Sequence, residues 1–189
     1  MLEAFRLYIN HFISITDEDF AILSSYLKPG FLRKKELLVQ AGTSCSKVVY
    51  FNSGYFRFFH HDTKGNEITS DFSFAPNFAT SYTSLLSGQP SVVNVQAMEN
   101  IEILELKKSD LLKLYDYAPQ FERLGRKLAE LVAINSERHL FLLLNQTAEY
   151  RYRKLLEKYP EYIQTIPLQF IASYLGITQE TLSRMRKTI

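Results

Sequence analysis

The apolar positions of this chain change period twice. Over residues 2–27 they recur at helical spacing, with Phe20, Leu23 and Leu27 at i, i+3 and i+7. Thr16-Asp17-Glu18-Asp19 offers an N-cap and an acidic first turn, so two short helices are predicted, stopped by Lys28-Pro29-Gly30. From Phe31 to Leu106 the texture becomes that of strands: Val, Ile, Phe, Tyr and Thr in short runs broken by turn residues. The predicted strands are 48–51, 55–60, 67–72, 92–95 and 101–104, with Asp62-Thr63-Lys64-Gly65-Asn66 as a hairpin loop. Strands at this spacing with no helices between them mean an antiparallel sandwich or barrel.

After Lys107 the period lengthens again. Ser109 is the predicted cap of a short helix through Tyr115, and Pro119 stands where a long helix should begin. Along that helix Phe121, Leu124, Leu128, Leu131, Asn135, Arg138 and Leu142 recur every three or four residues. A second stripe of small residues, Gly125, Ala129, Val132 and Ser136, runs beside it. One reading is a single core helix lying on the sheet. The other is a helix with two neighbours, its own sheet and a second copy of the chain. The second gives a dimer seam of Leu124, Leu128, Leu131, Asn135 and Arg138, the two polar residues fixing register. Asn145-Gln146-Thr147 then interrupts the pattern, a helix over 148–159 is stopped by Pro160, and two more helices are predicted in the last stretch.

Composition narrows the class. The chain has 189 residues, 46% of them apolar, with 14 Phe and 12 Tyr, enough to build a sizeable core. The longest apolar run, residues 140–144, is far shorter than the roughly 20 residues of a membrane span. The first residues lack the apolar core and cleavage site of a signal peptide, so a soluble, cytoplasmic protein is expected, with no membrane partner. A single cysteine, Cys45, leaves no disulfide framework and no cysteine-rich metal cluster, and no metal site is predicted. The net charge of +2 conceals an asymmetry. Residues 1–106 carry 8 Lys/Arg against 11 Asp/Glu (−3), and residues 107–189 carry 14 against 9 (+5). An acidic front and a basic back suggest a C-terminal module that meets a polyanion.

Residues 168–187 read as a helix-turn-helix. Ile171 and Leu175 stand at i and i+4 on the first helix, and Ala172 is small where the helices cross. Gly176 takes the turn, Ile177 plugs the corner, and Thr178 can cap the second helix. Leu182 and Met185 pack back, while Gln179, Glu180, Ser183, Arg184, Arg186 and Lys187 are polar. A helix that buries two residues and turns donors and cations outward is suited to a major groove. The DNA-binding set is therefore Thr178, Gln179, Glu180, Ser183, Arg184, Arg186 and Lys187.

A strand-rich domain, a long amphipathic helix and a C-terminal helix-turn-helix, in this order, resemble the Crp/Fnr family of bacterial transcription regulators. The resemblance is tightest over residues 171–184, Ile-Ala-Ser-Tyr-Leu-Gly-Ile-Thr-Gln-Glu-Thr-Leu-Ser-Arg. It implies an α+β protein: an antiparallel, cyclic-nucleotide-binding-like β-roll with flanking helices (1–118), a long dimerisation helix (119–145) and an all-α helix-turn-helix domain (146–189). It also implies double-stranded DNA, a second copy of the chain, RNA polymerase and a small-molecule effector as partners. By position, the family's base-reading residues fall on Gln179, Glu180 and Arg184, whose groups suit adenine, cytosine N4 and guanine O6/N7.

The departures are informative. Members that bind cyclic AMP hold its phosphate with a Gly-Glu-Leu turn and, about ten residues on, an Arg-Ser or Arg-Thr pair. Here Thr80-Ser81-Tyr82 and Ser91-Val92 stand in those places, so the expected effector pocket is a degenerate cassette of Phe78, Thr80, Ser81, Tyr82, Ser91 and Val92. A phosphodiester without its cation loses a charge-assisted pair worth roughly 2–3 kcal/mol. Cyclic AMP is expected to bind weakly or not at all, and no cofactor is expected. Arg57 could substitute, but between Phe56 and Phe58 it reads as the solvent face of a strand. An iron–sulfur cluster needs four thiolates, which one cysteine cannot supply. Haem would need a ligand among His11, His60, His61 and His139, and histidines on such strand or helix patterns are usually structural or solvated. Cys45, in a Gly-Thr-Ser-Cys-Ser turn, could be a redox switch, but no neighbouring cation pair supports thiolate character. The chain ends two residues beyond the recognition pattern, so the β-hairpin wing typical of the family is expected to be missing, which lowers affinity and salt slope rather than base choice.

Three functions compete: a dimeric regulator with an orphan sensory β-roll, a small-molecule-binding signalling module with a vestigial helix-turn-helix, and an enzyme of cupin type. The last needs clustered histidines, and adjacent His60 and His61 point to opposite faces of a strand, so no catalytic residues are predicted.

Overall fold

The computed structural model describes residues 1–187. The chain divides into two compact units, residues 1–60 with 72–129, and residues 61–71 with 130–189.

In chain order the first part runs α1 (Leu2–Asn10), α2 (Asp17–Tyr26), β1 (Lys28–Leu32), β2 (Leu37–Val39), β3 (Lys47–Phe51), β4 (Tyr55–His61), β5 (Glu67–Phe74), β6 (Asn77–Ala79), α3 (Tyr82–Ser87), β7 (Asn94–Ala97), β8 (Ile101–Lys107) and α4 (Lys108–Tyr117). The strands form two four-stranded sheets, ordered β1-β8-β3-β6 and β2-β7-β4-β5. Strand alternation builds two cores from one sheet. On one face Val49, Phe51, Ile101 and Ile103 meet Val39, Phe56, Val95 and Ala97 of the other sheet. On the opposite face Tyr50, Leu104 and Leu106 pack under Phe5 and Ile9 of α1, Leu23 of α2 and Leu114 of α4.

Thr16 caps α2 as its position predicts, accepting from the Asp19 N–H at 3.1 Å. Other boundaries move. Lys28-Pro29-Gly30 does follow the end of α2 at Tyr26, and it also opens β1, an outer strand of its sheet where proline's missing N–H costs least. The 92–95 run pairs two residues later, as β7. Ser109 lies inside α4, because β8 passes straight into the helix at Lys107 and no side chain caps it.

Next comes the long helix α5 (Pro119–Asn145), which begins on the predicted proline. Its first turns belong to the first unit: Phe121 and Leu124 are buried there and Leu128 is packed against them. Gly125 is a necessity of that packing, since a Cβ would stand 2.0 Å from the Tyr115 hydroxyl.

In the second unit α6 (Ala148–Lys158), α7 (Pro160–Thr165), α8 (Leu168–Tyr174) and α9 (Gln179–Met185) follow. Pro160, read as a stop, is the first residue of α7, where its fixed φ suits a helix start. Among the described residues, Tyr152, Leu155, Ile163, Ile166, Ile171, Ala172, Leu175 and Leu182 are this unit's buried apolar side chains. Thr188, Ile189 and the expectation attached to the missing wing lie outside the described residues. No helix among the described residues is long and apolar enough to cross a membrane.

Candidate functional site

The turn between α8 and α9 closes by backbone alone. The Ile177 N–H donates to the Ala172 carbonyl at 3.0 Å and the Gly176 N–H to that of Ser173 at 3.0 Å. These are the two bonds of a Schellman cap, and Gly176 takes its left-handed position at φ +68°. Ile171, Leu175 and Leu182 are each no more than 1% exposed, Ala172 is 2% exposed, and Ile177 is half-buried in the corner. Thr178 starts α9 by accepting from the Thr181 N–H at 3.2 Å.

That cap fixes which face of α9 is free. Leu182 and, in part, Met185 turn inward; Thr178, Gln179, Glu180, Ser183, Arg184, Arg186 and Lys187 are all exposed. Glu180 is held below the usual carboxylate range by its own backbone N–H, then by the Thr178 hydroxyl and less by the charge of Arg184. It is therefore an acceptor at neutral pH. Gln179 to Arg184 form one polar surface of a short helix, and Arg186 and Lys187 add two cations at its far end.

The cassette is brought together only in part. Ser81 and Ser91, ten residues apart, are buried with their hydroxyl oxygens 2.7 Å apart. Ser91 is further held by its contact to the Val93 carbonyl at 2.6 Å. Thr80 donates to the Lys47 carbonyl at 2.8 Å and lies 3.3 Å from the Cys45 sulfur. Tyr82 is half-buried, and burial raises its phenol. Phe78 instead joins the aromatic cluster of Phe5, Tyr8 and Tyr50 under α1, and Val92 is 77% exposed. Segment 77–92 contains no Lys or Arg. One hydroxyl-bearing partner escaped the sequence reading: Ser84 accepts from the Cys45 N–H at 2.8 Å and donates to the Gln89 carbonyl at 2.6 Å. Nothing in a Ser-Leu-Leu-Ser run distinguishes that serine from its neighbours.

Arg57 requires a correction. It is not on a solvent face but 1% exposed, its guanidinium 4.4 Å from the centre of the Phe59 ring. Tyr55 and Phe59, on the same face of β4, are buried too, and Phe72 and Phe74 of β5 pack against Tyr55. That face is an interior, which no alternation of Phe and Arg could reveal.

Of the predicted seam, Leu124 is committed to its own unit's core and Leu128 partly so, whereas Leu131, Asn135 and Arg138 are exposed. Val132, Ile134, Leu140, Phe141, Leu143 and Leu144 extend an apolar surface along the rest of α5. These side chains lie on more than one face of the helix, and together they leave far more apolar surface exposed than scattered surface residues do.

His139 stacks on Tyr174 with ring centres 4.6 Å apart at 20°. Burial, and then the charge of Arg151, hold its imidazole below the ordinary 6.5. As the pH falls through about 6.5 the unfolded chain takes up the proton first, so the second unit loses stability until the folded imidazole is itself protonated. Thermal melts from pH 7.5 down to pH 5 should show a falling midpoint, and His139→Gln should flatten that slope.

The sequence profile of the cyclic nucleotide-binding domain family matches residues 30–117. No curated protein matches the chain at a significant level. Among solved structures, FixK2 from Bradyrhizobium japonicum is 22% identical and superposes with a TM-score of 0.73, over 86% of this chain and 83% of that one. CLP from Xanthomonas campestris, a c-di-GMP responsive global regulator, is 13% identical with a TM-score of 0.71, over 92% and 91%. A transcriptional regulator of the Crp/Fnr family from Eubacterium rectale is 16% identical with a TM-score of 0.69, over 92% and 83%. The chain contains a cyclic nucleotide-binding domain, and its β-roll, long helix and C-terminal helices have the fold of Crp/Fnr regulators.

Proposed function

We propose that this protein is a homodimeric, DNA-binding transcription regulator of the Crp/Fnr type, not an enzyme, whose β-roll answers to a small-molecule effector other than cyclic AMP. The observation that carries the reading is the division of α9: one residue fully buried, and seven polar residues from Thr178 to Lys187 exposed on a capped, rigid turn. Gln179, Glu180 and Arg184 are assigned to base edges, with Thr178 and Ser183 beside them, and Arg186 and Lys187 to phosphate. The exposed part of the α5 stripe is assigned to the second copy, and RNA polymerase is the partner expected of an activator.

Two symmetry-related reading helices select an inverted repeat with half-sites about one helical turn, ~34 Å, apart. Selection of the intact protein against a pool of random duplexes should enrich such a repeat. Recovery of no sequence above the starting pool would remove DNA recognition and leave the signalling-module reading in its place.

The effector assignment follows from the cassette. Ser81 and Ser91 satisfy one another and the backbone, and no cation of segment 77–92 replaces the missing arginine. A cyclic phosphodiester would have to break those bonds and leave its charge uncompensated. Calorimetry with cyclic AMP should give no dissociation constant at or below about 1 µM, which is about −8 kcal/mol. Binding at that strength would show that another group holds the phosphate.

A further inference from the structure

Three consecutive residues at the end of α8 are each held by a different element of the second unit. The Ser173 hydroxyl accepts from the Thr69 N–H of β5 at 2.8 Å. Tyr174 carries the His139 ring of α5. The Leu175 carbonyl, left over by the α8 cap, accepts from Arg151 of α6. Arg151 reaches in two directions: one terminal nitrogen takes Leu175, and the other takes the carbonyls of Leu142, Leu143 and Gln146, at the C-terminal end of α5. Helix C-termini present unpaired carbonyls and partial negative charge, and here one guanidinium bridges two of them. The link between α5 and α6 is only Gln146 and Thr147, and Thr147 is already spent in capping α6. Two residues of linker would let the angle between α5 and α8 vary; a fork spanning both ends would not.

We infer that Arg151 is a positioning residue: it clasps the end of the dimer helix to the turn of the helix-turn-helix and so sets the angle at which each reading helix is presented. This rests on the regulator reading for its consequence on DNA. A dimer on an inverted repeat must place both reading helices at one spacing, whereas a single half-site tolerates any angle. Loss of the clasp therefore affects the full site far more than the half-site. Lysine is only a partial substitute, because it keeps the charge but a single ammonium cannot fork to both helix ends.

The test uses the full chain with Arg151→Leu and Arg151→Lys, on the selected repeat and on a duplex carrying one half-site. Arg151→Leu should weaken full-site binding at least tenfold with half-site binding within twofold, and Arg151→Lys should fall between the two. Equal losses on both duplexes would make Arg151 a folding residue and overturn the inference, as would an unchanged ratio. A second readout needs no DNA. Spin labels at Glu137→Cys and Ser183→Cys, with Cys45→Ala and dilution into unlabelled chain, should give one narrow distance in the parent and a broad distribution in Arg151→Leu. Equal widths overturn the inference even if no duplex is selected, and a broadened distribution sustains it when only the regulator reading fails.

Discussion

Truncating Leu182 to alanine will melt the reading head and abolish duplex binding while the β-roll stays folded. Leu182 has no exposed surface and is the one side chain by which α9 is wholly buried. Removing a buried leucine's three outer carbons costs about 2–5 kcal/mol, because a close-packed interior cannot collapse into the gap. A unit of this size holds only about 3–10 kcal/mol of net stability, at roughly 0.05–0.15 kcal/mol per residue. The substitution thus removes about half of it at the midpoints and all of it at the low end of the range. Hydrogen exchange should show α8 and α9 amides losing protection, with those of β3, β4 and β8 unchanged. Retained protection in α9 would mean that the helix is held by something other than Leu182.

Leu131→Glu should convert the dimer to monomer. Leu131 is exposed on the chain alone and lies on the flank of α5 that the proposed seam uses. Two-fold symmetry puts one carboxylate from each chain into the same dry stripe, and an unpaired buried charge costs about 3–5 kcal/mol. Each 1.4 kcal/mol is tenfold in the dissociation constant, so dimer affinity should fall by at least about a hundredfold. Sedimentation at micromolar concentration should give a dimer for the parent and a 22.0 kDa species for the variant. An unchanged sedimentation profile would move the seam away from Leu131.

The helix-turn-helix was legible because its signals are local. A glycine at the one left-handed position, a threonine cap and apolar residues at i and i+4 all sit within twenty residues, and each does in the fold what its chemistry dictates. The N-terminal cap at Thr16 was readable for the same reason. Strand existence was readable and strand edges were not: Lys28-Pro29-Gly30 ended α2 as read but also opened β1, an outer strand that tolerates proline, and β7 begins two residues later than its apolar run. Arg57 was misread, and the partners of His139 and Arg151 went unseen, for a common reason. Polar side chains read as solvent-facing until distant segments cover them, and their partners come from elements that no local pattern connects. The cassette was legible in what it lacks, a cation in 77–92, but not in how Ser81 and Ser91 fill the gap with each other.

The central claim is that α9 reads sequence, and one competition series addresses it directly. Binding of the parent, Arg184→Ala and Lys187→Ala is measured on the selected repeat and on a scrambled duplex of the same length and salt. Arg184, exposed in the middle of the reading face, should cost about 1–3 kcal/mol on the repeat when truncated, roughly 5- to 150-fold, and little on the scramble, with preference relaxed at one base pair. Lys187, at the far end, should weaken both duplexes alike and lower the salt slope by about one. Equal losses on the two duplexes for Arg184→Ala would reduce it to a phosphate contact and contradict sequence reading by this helix.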